Sequence, residues 1–399
     1  MTLLRCAICA FVLVAVGPIL RADFKPSGLL EIHYINVGQG GATLIIGPDG
    51  TRILYDFGNV GRGDAIATYL QETVGLAPSE GLHFTIVSHR DQDHYGGYVD
   101  VTSAGYDVLT ANFDSGSQKP STSKMQRVWL DPASMTTAGA VRPIPVGLRI
   151  ALGDGAEARV IAANGRIHRQ DPDELPFARN ENDRSVSIYV KYKDFDFLLD
   201  GDLGAGPESA KCTDHQTSQK DFQGPIARAL IGLGWMNAER GVDILHIAHH
   251  GSESSTSSGY YNLTKPEVGL ISVGLNQGDF LHPREDVVTK VLLGPVPARP
   301  PCVTAPPLVA LFQTENGQSG SSTTGGTSFR SLPIGDIRVT TDGLTDYLIS
   351  GSGRVGDKVA CPNPAAGSWR FPLDEQAPVP TPQVNSKCQV TSSSCKCQS

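Results

Sequence analysis

Between Leu29 and about Ser352 the chain is written in short apolar runs broken by glycine and polar turns. "LLEIHYINV", "ATLIIG" and "RILYDFG" are β-branched or alternating and bounded by turn residues, which predicts strands. "GDAIATYLQETVG" changes period. Ile66, Tyr69 and Leu70 share one helical face, with Asp64 placed to cap it and Gly75 to stop it. "HFTIVSH" predicts a buried strand that runs straight into the polar stretch "SHRDQDHYGG", Ser88 to Gly97. "SVSIYVKYKDFDFLLDGD" predicts a hairpin about Lys193-Asp194, and "IRVTTDGLTDYLIS" a second about Asp342-Gly343. "GPIARALIGLGW" and "REDVVTKVLLG" predict helices, and "VDILHIAHHGS" and "PEVGLISVG" predict strands.

The flanks break this pattern. Cys6 to Val16 is an apolar run too short for a good membrane span. Arg5 precedes it and small Ala22 follows, so residues 1–22 predict a secretory signal peptide. Residues 294–330 mix prolines with "GQSGSSTTGG" and predict a flexible insertion in a domain of residues 23–352. Residues 353–399 lack periodicity and are rich in Pro, Ser and Cys, so a disordered or disulfide-tethered tail is expected. Cys212, Cys302, Cys361, Cys388, Cys395 and Cys397 remain after the leader, an even number that an exported protein can pair.

The chain has 399 residues and a formal charge of −8. Without the leader, and so without Arg5 and Arg21, 31 basic face 41 acidic side chains, a charge of −10. Such a surface repels phosphate backbones, which disfavours an extended nucleic acid and leaves a small-molecule substrate open; a local basic patch remains compatible with it.

The polar stretch carries the chemistry. His89, Asp91, Asp93 and His94 crowd six positions on a loop that a buried strand positions. Asp200 and Asp202 end another apolar strand in "LLDGDLG", and His249 and His250 end a third in "HIAHHGS". Imidazoles and carboxylates arriving from separate strand ends suit a metal centre of zinc, manganese or iron, with one or two Zn2+ ions expected and Mn2+ the alternative. Neighbours on a strand point to opposite faces, so either His249 or His250 can be the ligand, His249 being preferred. His33, His83, His168 and His215 read as packing or solvated residues, and His246 as core or support.

The order "ILYDFG", "SHRDQDHYGG", "FLLDGD", "AHHGS" resembles the metallo-β-lactamase fold superfamily. The start "INVGQGGATLII", Asn182 and Ser185 before the hairpin, and His282-Pro283 after "SVGLN" resemble its ComEC-type branch, found in competence DNA-uptake proteins and secreted relatives. The resemblance spans about Leu29 to Ser352. It implies an α+β fold, an αββα four-layer sandwich with metals at one edge. It implies His89, Asp91, Asp93, His94, Asp202 and His249 as ligands, with Asp202 bridging two metals and Asp56 supporting the motif loop. Asp93, Asp202 and His282 are the implied catalytic groups, and Asn182 and Ser185 the implied substrate contacts. Three positions depart from the pattern: no second-site histidine intervenes except His168, Gly41 stands where aspartate is usual, and Asn36 stands where aspartate is common. The first metal site, His89 with Asp91 and Asp202, is therefore the thinner one. The expected activity is that of a secreted hydrolase using metal-activated water, on phosphodiesters first. Carboxylic esters, lactones and β-lactams follow, and a non-catalytic, metal-stabilised binding module is the rival.

Overall fold

The computed structural model describes residues 24–171, 175–206, 219–275, 280–285, 287–293, 303–317, 332–353, 368–373, 388–391 and 394–397. The leader, Cys212, His215, Cys302, Cys361 and most of the Gly/Ser/Thr run lie outside them.

The first half of the chain builds one sheet from β1 (Leu30–Tyr34), β2 (Thr43–Ile46), β3 (Arg52–Tyr55), β4 (Leu82–Val87), β5 (Val108–Asp114) and β6 (Arg142–Pro143). The second sheet takes β7 (Arg149–Gly153), β8 (Ala156–Ala163), β9 (Arg166–Ile167), β10 (Ser187–Tyr192), β11 (Phe195–Leu199), β12 (Ile244–His246), β13 (Val268–Ile271), β14 (Ala310–Gln313) and β15 (Leu332–Pro333). The chain then returns to the first sheet with β16 (Ile337–Thr341), β17 (Asp346–Gly351) and β18 (Ser368–Pro372). The orders are β18-β17-β16-β1-β2-β3-β4-β5-β6 and β15-β14-β13-β12-β11-β10-β8-β7, with β9 paired to β8. A separate ribbon pairs β19 (Cys388–Thr391) with β20 (Ser394–Cys397).

Alternation decides which face each residue takes. On β1, Leu30, Ile32 and Tyr34 enter the core between the sheets together with Ile188, Val190 and Tyr192 of β10 and Phe195, Phe197 and Leu199 of β11. His33, on the opposite face of β1, is buried in hydrogen bonds to Tyr69 and Glu31, as a packing residue. Helices cover the outer faces. On the first sheet these are α1 (Gly63–Thr68, widened through Tyr69–Val74), α2 (Gln92–Tyr95), α3 (Tyr98–Ser103), α4 (Ser123–Met125) and α5 (Asp131–Ser134). On the second they are α6 (Gln223–Gly232), α7 (Ser258–Thr264) and the turn Val287–Leu292. The result is the expected α+β four-layer sandwich, with two mixed sheets face to face.

Strands β3 to β6 and β11 to β15 run parallel within their sheets. Parallel neighbours need crossovers, so loops that follow successive strands emerge at the same edge. The polar stretch follows β4, Asp200–Asp202 follows β11, and the histidine pair follows β12.

Three expectations need correction. Arg62, not Asp64, sits at the N-cap of α1; Asp64 lies in the first turn, where a negative charge faces the helix's positive end. Residues 294–330 are not irregular throughout, because β14 lies inside that range with Ala310, Leu311 and Phe312 buried. The tail beyond residue 352 is not structureless, because "SWRFP" forms β18 on the edge of the first sheet. Trp369 and Phe371 alternate inward there, and the Trp369 ring lies 4.8 Å from that of Phe312. Trp369→Ala is expected to destabilise the fold by about 3–5 kcal/mol in a denaturant titration. An unchanged midpoint would remove β18 from the cooperative core.

Candidate metal centre

Asp56 follows β3 and takes a left-handed backbone conformation, with φ of 63°. Its Oδ1 accepts the Ser88 backbone N–H at 2.6 Å and its Oδ2 accepts the Ser88 hydroxyl at 2.8 Å. The same Oδ2 accepts the His94 Nδ1–H at 2.7 Å. One carboxylate therefore sets where the loop leaves β4 and holds His94 through Nδ1, turning Nε2 toward the site.

The two glycines after the motif serve packing. A Cβ on Gly97 would lie 2.4 Å from the Phe57 carbonyl oxygen, so only glycine lets α2 and α3 press against the loop after β3. Gly41 explains itself similarly. A Cβ there would meet Asp56 Oδ2 at 3.1 Å and His94 Nδ1 at 3.3 Å, so its absence leaves their hydrogen bond undisturbed. At Asn36 the side-chain amide donates to Glu315 Oε1 at 2.8 Å; an aspartate would set two carboxylates against each other.

Asp202 is buried, and its backbone N–H donates to Ser185 Oγ at 3.2 Å. Its Oδ2 stands 3.3 Å from His94 Nε2, 3.6 Å from His250 Nε2, 3.9 Å from His249 Nε2 and 4.0 Å from His89 Nε2. Donor atoms of His89, His94 and Asp202 all lie within 4.8 Å of one another, as do those of Asp93, His94 and His250. The Nε2 atoms of His89, His94 and His250 are buried without a hydrogen-bond partner among the described residues. Three buried lone-pair nitrogens beside two carboxylates form a donor set that suits a divalent cation.

The adjacent histidines differ in what they face. His250 donates from Nδ1 to the Ser272 carbonyl oxygen at 2.7 Å, and its Nε2 lies 3.5 Å from Asp93 Oδ2. His249 has Nδ1 3.1 Å from Gln219 Nε2 and 3.0 Å from Ser254 Oγ, and its Nε2 lies 3.3 Å from Asn182 Nδ2. Asn182 thus reaches the site. Ser185, expected at the substrate, is instead buried beneath Asp202 and holds its backbone. His282 is buried, with its ring centre 5.4 Å from that of His249 and 6.3 Å from that of His250. His246 bonds through Nδ1 to the Tyr34 hydroxyl at 2.9 Å and supports the core. His168 stacks on Trp235 and joins no donor group among the described residues.

Asp91 stands at the outer side, with Oδ2 3.5 Å from His89 Nε2. Its Oδ1 faces Lys119 Nζ at 2.5 Å, and Lys119 also donates to the Arg90 carbonyl oxygen at 2.9 Å. Sequence reading missed Lys119. The available signal was positional, since Lys119 follows β5, the parallel neighbour of β4.

Charge is shared accordingly. Burial opposes a charge on His94, but Asp202, Asp56 and Asp93 outweigh it and raise its pKa well above the imidazole range. Burial likewise opposes His250, and Asp202 and Asp93 raise it. Burial lowers His282 to about 2, helped by His249 and His250, and lowers His249 to about 4, so both rings are neutral at pH 7. Burial pushes Asp91 up, but His89 and Lys119 bring it down to about 2.

A cation entering this site must displace the protons of His94 and His250. Metal affinity is therefore expected to strengthen with pH through the ordinary imidazole range and beyond it, levelling off only where the raised His94 and His250 lose their protons. Proton release should appear in calorimetry as a heat that varies with the buffer. Asp56→Asn, which weakens the hold on His94, should cost about 10- to 100-fold in metal affinity with the fold retained. Equal affinities would show that Asp56 does not orient a ligand.

No family model matches the chain. Recombination protein 2 of Haemophilus influenzae is 26% identical over 275 residues, 68% of this chain; the chain spans 27% of that protein's length. Similar solved structures include the metallo-β-lactamase-fold protein YhfI from Bacillus subtilis, 10% identical, over 61% of this chain and 85% of that one, with a TM-score of 0.35. A metal-dependent hydrolase from Parabacteroides distasonis is 13% identical over 64% and 89%, with a TM-score of 0.31. The metallo-β-lactamase SMB-1 is 19% identical over 57% and 81%, with a TM-score of 0.30. The order of the motifs, the two facing sheets and the donors gathered at their common edge give this chain the four-layer sandwich expected from its resemblance to the metallo-β-lactamase fold.

Proposed function

We propose that the chain is an exported metal-dependent hydrolase of phosphodiester bonds. The observation that carries this reading is the set of three buried Nε2 atoms, without hydrogen-bond partners among the described residues, around the Asp93 and Asp202 carboxylates. His250, with Asp93, His94 and Asp202, holds one cation in this reading. His89, Asp91 and Asp202 hold the second more loosely, because Lys119 already engages one oxygen of Asp91. His249 lies beside this thinner group, and its neutral ring can stand in for the histidine that the sequence lacks there. Bound Zn2+, or Mn2+ as the carboxylate-rich alternative, supplies a water of lowered pKa and polarises the scissile group.

The chain's own residues do the rest. Asp202 holds the imidazoles at a common distance, and Asp93 is placed to accept a proton from a water beside it. The Asn182 amide and the neutral His282 ring line the approach, where an N–H from either can stabilise an oxyanion. The likeness to a recombination protein favours a phosphodiester over a β-lactam or lactone, and Asp91 departs from what β-lactamases carry at that position. Among the described residues no helix is long and apolar enough to cross a membrane. Export rests on the leader-like residues 1–22.

Purified full-length chain loaded with Zn2+ or Mn2+ is expected to hydrolyse bis-nitrophenyl phosphate. Asp93→Ala and His250→Ala should each lower turnover by at least about 100-fold. His249→Ala should cost less than His250→Ala and lower metal stoichiometry before activity. Metal binding without turnover of bis-nitrophenyl phosphate or single-stranded DNA would sink the phosphodiesterase. Unfolding of Asp93→Ala in a chain with no activity to lose would establish the metal-stabilised binding module instead.

A further inference from the structure

Beside the thinner metal position, the surface opens into a cleft of about 640 Å³, within the range of small-ligand sites. Asp91 and Asn182 form its inner wall, and both touch the donors, Asp91 through His89 and Asn182 through His249. Its remaining wall carries Lys119, Arg179, Glu181 and Arg184. Three cations around one hollow are unexpected in a chain of net charge −8.

Their charges are unequally committed. Lys119 is bound to Asp91 and completes that carboxylate. Among the described residues Arg184 donates only to neutral acceptors, Asn164 Oδ1 at 2.8 Å and the Ala178 carbonyl oxygen at 3.2 Å, so it is positioned without being neutralised by them. Arg179 is exposed, and among the described residues its guanidinium has no partner. The one carboxylate of the outer wall, Glu181, is already occupied. Its Oε1 accepts the Arg90 backbone N–H at 2.9 Å and its Oε2 the Ser117 hydroxyl at 2.7 Å. Arg90 is not available to a ligand, because Asp114 takes its guanidinium. An anion in the cleft therefore meets two guanidinium groups without carboxylate partners, and Arg binds phosphate oxygens in pairs.

We propose that this cleft seats a second, non-scissile phosphate of the substrate, with Arg179 and Arg184 as its specificity-determining residues. The proposal rests on the phosphodiester reading above and narrows it: the preferred substrate carries another phosphate next to the bond that is cut. The site then distinguishes such a compound from a simple diester, and the acidic surface elsewhere discourages binding away from the cleft.

The test is calorimetric titration of the Zn2+-loaded full chain with thymidine 3′,5′-bisphosphate, thymidine 5′-phosphate and thymidine 3′-phosphate. The bisphosphate is expected to bind at least about tenfold tighter than either monophosphate, as one charge-assisted contact implies. Arg179→Ala should erase that difference while monophosphate affinity, metal content and melting temperature stay unchanged. Arg127→Ala, a cation in a hollow away from these donors, should preserve the difference. Equal affinity for all the thymidine mononucleotides, or an equal loss for all of them in Arg179→Ala, overturns the proposal. Bis-nitrophenyl phosphate has a single phosphate, so its turnover by the unaltered chain judges the phosphodiesterase reading separately.

Discussion

One carboxylate facing four imidazoles organises this structure. Asp202 Oδ2 lies within 4.0 Å of Nε2 on His89, His94, His249 and His250, and it does so in a buried pocket. Without a cation, only protons can balance that pocket, and the raised values of His94 and His250 express this. The surroundings hold the group in place. Ser185 fixes the Asp202 backbone, Asp56 orients His94, and the Ser272 carbonyl orients His250. None of these three contacts would be needed by a solvated polar loop, where water satisfies the same atoms.

Much of this was legible because strand ends are easy to read. An apolar run followed by Asp-Gly-Asp or His-His-Gly announces both a strand and the polar groups at its exit. The side of a turn is harder to read. His249 and His250 were treated as neighbours on a strand with opposite faces, but β12 ends at His246. Both histidines lie in a turn with φ of 51° and 54°, and both rings face the pocket from different angles. No alternation rule covers that case. Lys119 escaped for another reason: its contact with Asp91 joins loops after two neighbouring strands, and nothing local in "GSQKP" marks it.

The two segments that composition marked as irregular meet each other in the core. Proline, glycine and serine around β14 and β18 hide stretches of four and five residues whose own pattern is that of strands. Phe312 and Trp369 pack ring against ring between the sheets, so each segment is ordered partly by the other. Composition averaged over 37 or 47 residues cannot show a contact that depends on one aromatic in each. The departures at Asn36 and Gly41 have the opposite character. Each looked like a lost functional group, and each has a steric or electrostatic reason in its neighbours, Glu315 for one and the Asp56–His94 pair for the other.

The donors come from distant parts of the chain. His89 to His94 leave the first sheet, whereas Asp202 and His250 leave the second, more than 100 residues later. An ion shared between them would act as a clasp across the seam of the sandwich. It closes a long loop of chain, as a disulfide does, and gains the same kind of advantage over the unfolded state. Unlike a disulfide, the clasp is indifferent to reducing conditions and answers to the supply of metal. The same ion would then also govern how long the folded chain survives, tying its lifetime to the supply of metal.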